Sequence, residues 1–98
     1  MIGIEGVLVR VRGLGEAELR AWIEEGWVRP QRQGEELVFE EIDLARCRLI
    51  LELREELEVN EAAMPVVLQL LDRLHATRRQ LRRLAEALER ARDAPDGR

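Results

Sequence analysis

Few residue types in this chain could do chemistry, and each has an ordinary structural explanation beside the functional one. His75 is the only histidine and Cys47 the only cysteine. A zinc or similar site draws on several such ligands at short spacing, so one of each, with no CxxC, gives a metal site almost no support. His75 lies one place from an apolar seam and is read as a surface or interface histidine. Cys47, on the apolar side of a helix, is read as a small core residue, and a lone cysteine excludes an intramolecular disulfide framework. The acid run Glu52, Glu55, Glu56 and Glu58 could serve acid–base catalysis only in a cleft that raised a carboxyl pKa. Nothing nearby indicates one, so the run is a solvated helix end or, second, an acidic docking surface. Thr77-Arg78-Arg79-Gln80-Leu81-Arg82-Arg83-Leu84 puts four arginines in eight positions, and poses a choice between a nucleic-acid grip and the flank of a helix that binds something else. No enzyme site or cofactor is implied.

The elements that must carry these groups are mostly helical. The chain has 98 residues, 46% hydrophobic, with one Phe, two Trp and no Tyr. Such a chain buries about 60–65% of its unfolded surface, in a core of Leu, Ile, Val and Ala that suits helix packing. Trp22 and Trp27 are read as mainly core, with interface anchoring second. All 16 basic residues are Arg, and the net charge is −4. Residues 1–60 hold 8 Arg and 14 Asp or Glu, whereas residues 61–98 hold 8 Arg and 6 acids. An acidic front half suits a basic protein surface better than phosphate. With no signal peptide and no apolar run long enough to span a bilayer, a cytoplasmic protein is expected.

Residues 2–12 alternate at Val7, Val9 and Val11, which predicts a strand, with a short helix or a loose arm as alternatives. Gly13-Leu14-Gly15 breaks this segment. A short helix is predicted over 16–25, with Leu19, Trp22 and Ile23 on one face and Gly26 as its stop. Val28 before Pro30, and Leu37-Val38-Phe39 after Gly34, predict a small β-hairpin. A helix over 41–57 carries an apolar stripe of Ile42, Ala45, Leu49 and Leu53, widened by Ile50 and Leu57. Asn60 is a good N-cap for a last helix over 61–92, with Pro65 making its first turn irregular.

In that last helix Val67, Leu70, Leu74, Thr77, Leu81, Leu84, Leu88 and Ala91 step by three and four without interruption, a heptad seam. The four arginines fall between seam positions. The seam beyond Leu74 (Leu74, Thr77, Leu81, Leu84, Leu88) suits a second chain, with oligomer state and strand direction, parallel or antiparallel, left open. Helix, wing and long helix also describe a winged helix-turn-helix DNA binder. Its recognition helix, EAELRAWIEE, would oppose Glu16, Glu18, Glu24 and Glu25 to Arg20, and VLVRVRGL before it shows no clear amphipathic first helix. DNA affinity depends on neutralising phosphate, so nucleic acid is a disfavoured partner. Arg20 and the wing residue Arg32 are the candidate contacts of that alternative.

The order of the acidic helix into EEGWVRP, the wing ending LVFEEIDLARCRLI, ELREELEVNE and VVLQLLDRL resembles the chaperone-modulatory CbpM family, related to the MerR-type helix-turn-helix fold. The match covers residues 13–88. The resemblance implies a mainly α, MerR-like winged helix-turn-helix with a β-hairpin wing and a long C-terminal dimerisation helix. It divides the chain into a degenerate winged region (1–59), the C-terminal helix (60–92) and a disordered tail (93–98). It further implies a non-enzymatic modulator that binds the J-domain of a DnaJ- or CbpA-like co-chaperone and limits its stimulation of a DnaK-type chaperone. A J-domain presents a basic helix, and charge and exposure then point to Glu52, Glu55, Glu56 and Glu58, with Asp72 as a neighbour, as the docking residues. A dimeric MerR-like transcriptional regulator is the alternative.

Overall fold

A computed structural model describes residues 1–93. The elements are α1 (Ile4–Arg10), α2 (Glu16–Glu24), β1 (Gln31–Gln33), β2 (Glu36–Val38), α3 (Glu41–Glu55) and α4 (Met64–Asp93). The fold is the expected one: mainly helical, with a two-stranded antiparallel hairpin as the wing and a long C-terminal helix. It divides into two compact units, Met1–Pro65 and a second beginning at Val66. The tail expected over 93–98 lies outside the described residues, apart from Asp93, which ends α4.

The first segment is a helix, not a strand, so the helix-turn-helix is complete. Ile4, Val7, Leu8 and Val11 repeat at i, i+3, i+4 and i+7, and this helical pattern outweighs the three-valine alternation. Val7 and Val11 are buried while Val9 is 80% exposed. Ahead of the helix, Ile2 and Phe39 exchange backbone hydrogen bonds of 3.0 and 2.7 Å, which fasten the N-terminal segment to the end of β2. Gly6 makes this possible, because a Cβ there would lie 2.9 Å from that of Ile2. At the other end of α1 the Val11 N–H donates to Val7 O (2.8 Å), and Arg48 reaches the Arg10 carbonyl at 3.3 Å.

Gly13, at φ +87°, turns the chain between α1 and α2, with Leu14 buried. Leu19 and Trp22 of α2 are buried. Beyond the helix, the N–H groups of Trp27 and Val28 both donate to the Trp22 carbonyl, at 2.9 and 3.4 Å. This draws Trp27 and Val28 into the core and displaces the first wing strand beyond Pro30, to Gln31–Gln33, rather than around Val28. The hairpin register pairs Gln31 with Val38, Arg32 with Leu37 and Gln33 with Glu36.

Helix α3 begins with the Glu40 N–H donating to Asp43 Oδ2 at 2.9 Å, one half of a capping box. Its buried face is Leu44, Cys47, Ile50 and Leu53. The expected stripe is therefore corrected: Ile42 and Leu57 are 76% and 66% exposed and Ala45 is exposed. This helix has apolar residues on two sides, and periodicity alone does not choose between them. Its end also comes earlier than expected. Glu58 adopts a left-handed conformation (φ 54°), and the Val59 N–H reaches back to the Leu53 carbonyl at 2.9 Å, a wrap that satisfies the helix terminus. Asn60 makes the contacts expected of a cap, its Oδ1 accepting the Ala63 N–H at 2.8 Å and its carbonyl the Met64 N–H at 3.0 Å, but continuous helix α4 starts only at Met64. Pro65 lies in the first turn of α4, where its missing N–H is harmless.

The core of the first unit thus gathers Val7, Val11, Leu19, Trp22, Trp27, Val28, Phe39, Leu44, Cys47 and Ile50. Phe39 is its largest fully buried side chain. Replacing it with Ala is expected to lower the unfolding free energy by about 3–5 kcal/mol, measured by urea denaturation at fixed protein concentration. A loss below about 1 kcal/mol would mean that the aromatic ring is not a core element.

Candidate functional site

In a winged helix-turn-helix the surface that meets a partner is the outer face of the second helix together with the wing. On α2 that face carries Glu16, Arg20 and Glu24 at successive turns, with Ala17 and Ala21 beside them, all exposed. Arg20 Nε donates to Glu16 Oε2 at 3.0 Å. The helix's only cation is thus engaged by its own neighbour. Arg20 and Arg32 both line one open groove of about 560 Å³ with Glu5, Glu35 and Glu36. The two arginines of the DNA-binding alternative are therefore brought together, but against three carboxylates.

Glu52, Glu55 and Glu56 occupy the last turn of α3 and its cap, with Glu58 just beyond, and all four are exposed. Glu55 is held at 3.0 Å by Arg54 Nη2. Asp72 is exposed on α4, within the second unit. On that helix Leu74, Leu81, Leu84 and Leu88 are between 43% and 60% exposed, and Thr77 is exposed too. The heptad face is uncovered in the single chain.

Among the described residues no group of His, Cys, Asp and Glu could hold a metal ion, and His75 is exposed. Cys47 is fully buried, and burial, reinforced by the Asp43 charge, pushes its thiol up to about 11 against a weaker opposing effect of Arg48. It is a protonated core thiol at neutral pH, not a nucleophile. Arg46 and Arg48 donate to backbone carbonyls, Arg46 Nε meeting Trp27 O at 2.8 Å and Arg48 the Arg10 carbonyl. No described helix is long and apolar enough to cross a membrane.

One feature escaped the sequence reading. Trp22, Trp27, Ile50 and Met64 line a cleft of about 460 Å³, with Glu18, Glu25, Arg54 and Glu61 around it. Arg54 is the hub of its polar wall. The guanidinium lies 5.8 Å from the Trp22 ring centroid and forms ion pairs with Glu18 and Glu55. Glu18 also accepts the Gly15 N–H at 3.1 Å, closing the start of α2. That backbone hydrogen bond, opposed by desolvation and aided by Arg54, holds the Glu18 carboxyl below its ordinary value. Burial works against the Arg54 charge, but the hydrogen bonds to Glu18 and Glu55 outweigh it and raise its pKa. Trp27 Nε1 is buried with no hydrogen-bond partner among the described residues. Glu18 and Arg54 stand 36 positions apart, and no local pattern announces such a pair. The closely spaced tryptophans were the available signal.

A family model described as MerR HTH family regulatory protein matches residues 6–86. Neither a curated protein nor a solved structure matches the chain.

A carboxyl whose pKa is lower folded than unfolded stabilises the fold above its unfolded value, about 4.3, and loses that contribution as pH falls through the folded value. The melting temperature should therefore fall from about pH 5 to about pH 3, and Glu18→Gln should flatten the decline. Melting curves that stay parallel over that range would show that the Glu18 charge is not linked to folding.

Proposed function

The chain belongs to the MerR HTH family of regulatory proteins, and from that premise we propose that it regulates through a protein partner instead of a DNA duplex. The partner is the J-domain of a DnaJ- or CbpA-like co-chaperone. Occupying that domain would limit its stimulation of a DnaK-type chaperone, in the cytoplasm and without catalysis by this chain. The observation that carries this reading is the outer face of α2, where the only cation is paired with Glu16 and Glu24 is left over. Phosphate would be repelled from the helix that ought to enter the major groove, whereas a basic protein surface would be attracted to the same unit. The CbpM-like order of segments supports the same choice. Glu52, Glu55, Glu56 and Glu58 supply further negative charge on the first unit that steers such a partner, and Asp72 is a separate candidate on the second.

The seam on α4 completes the proposal. A 30-residue helix with an uncovered leucine stripe is marginal alone in water, and a second copy is the proposed cover. The side-chain sizes favour antiparallel pairing. In a parallel, in-register pair Thr77 would face Thr77, and Arg73 would flank Arg78 of the partner subunit. An antiparallel register with Leu81 opposite Leu84 sets Leu88 against Thr77, so a large side chain fills the space a small one leaves.

A second reading has one observation in its favour, the meeting of Arg20 and Arg32 on one groove: a dimeric regulator that binds DNA. Titration calorimetry decides between the two. The J-domain should bind at low salt and lose affinity between 0.1 M and 1 M salt, as the screening length falls from about 10 Å to about 3 Å. A duplex from the chain's own promoter should give no heat. Binding of the duplex, lost in Arg20→Ala or Arg32→Ala, together with no J-domain binding, would reverse the conclusion. For the seam, Leu81→Asp places a charge in an apolar contact and should convert a sedimenting dimer to a monomer. An unchanged sedimentation coefficient would remove α4 from the dimer interface.

A further inference from the structure

The cleft on the first unit is not explained by either the helix-turn-helix surface or the seam. Its floor is apolar and aromatic: Trp22 and Trp27 with Ile50 and Met64. At about 460 Å³ it falls within the roughly 300–1,000 Å³ of clefts that seat ligands. Its rim is charged in one sense. Arg54 is already engaged by Glu18 and Glu55, while Glu25 and Glu61 are exposed and form no ion pair among the described residues. An apolar floor between two uncompensated carboxylates excludes an acidic or phosphorylated ligand. It fits an apolar side chain flanked by cations. The walls come from α2, α3 and the residues that lead into α4, and no strand edge borders them. A ligand would find no backbone to extend as a sheet, and a helix laid in the groove can present an apolar anchor and flanking cations on one face.

We propose that this cleft is the anchoring site for a basic amphipathic helix. One large apolar side chain of the helix seats against Trp22 and Trp27, and Lys or Arg residues one turn away pair with Glu25 and Glu61. A hydroxyl or amide beside the anchor would also give the Trp27 N–H the acceptor it lacks. The proposal rests on the function given above in taking the natural occupant to be the basic helix of the J-domain. It assigns two steps to two surfaces. The exposed acids at the end of α3 act at a distance and set the rate of encounter; the cleft holds the anchor and sets how long the complex lasts.

The test uses the full chain and two probes, a purified J-domain and a synthetic Leu/Lys amphipathic helical peptide without tryptophan. Trp22 and Trp27 are the only tryptophans, so a seated peptide should change the intrinsic fluorescence of the wild-type chain. Ala21→Phe fills the cleft from an exposed position of α2, and the pair Glu25→Arg with Glu61→Arg reverses the rim without touching the core. Each should weaken J-domain affinity about tenfold or more, mainly through faster dissociation, with circular dichroism and melting unchanged. The pair Glu52→Arg with Glu56→Arg should act mainly on the association rate. J-domain binding of wild-type strength in both cleft variants would overturn the proposal and leave the function standing. If the J-domain fails to bind the wild type but the peptide still changes its fluorescence, and Ala21→Phe abolishes that change, the cleft stands and the J-domain reading falls. If neither probe binds, both fall.

Discussion

Three aromatic side chains have to be buried in a core otherwise made of aliphatic ones, and the first unit is arranged around that requirement. Trp22 stands at the end of α2, Trp27 in the wrap that follows it, and Phe39 where the wing closes. The wrap puts Trp27 and Val28 inside by returning two N–H groups to one carbonyl. The wing is brief because Phe39, its last inward residue, is at once tied to Ile2. A chain of this size has a total stability of about 5–15 kcal/mol, so these few large side chains account for a substantial part of it.

Charge is distributed so that the fold's internal needs consume most of the arginines of the first half. Arg10 pairs with Glu41, Arg20 with Glu16, and Arg54 with Glu18 and Glu55; Arg29, Arg46 and Arg48 donate to backbone carbonyls. Exposed pairs of this kind stabilise weakly, but they leave the outward face acidic. The helix-turn-helix frame therefore carries an outer surface that is acidic more than basic.

Much of this was legible in the sequence, where the signal is local. The heptad seam is read from spacing alone, and α2, the wing, α3 and α4 follow from their breakers and apolar periods. The misreadings have a common origin in short or ambiguous patterns. Three alternating valines concealed the i, i+3, i+4, i+7 set of Ile4, Val7, Leu8 and Val11. Helix α3 is apolar on two sides, so burial of Leu44 rather than Ala45 and Ile42 was settled by tertiary packing, whereas Cys47 is in the core as expected. The cleft needs Glu18, Trp22, Arg54 and Met64 together, and their distance along the chain hides it.

The single thiol of Cys47 has a consequence of a different kind. It is sealed in the core, protonated, and has no second cysteine to pair with. The chain is therefore indifferent to the redox poise around it for as long as it stays closed. Each opening of the first unit uncovers that one sulfur, so the pace at which an alkylating reagent captures it keeps time for the breathing of the fold. The molecule carries its own clock, and a partner that slows the clock must be one that holds the core shut.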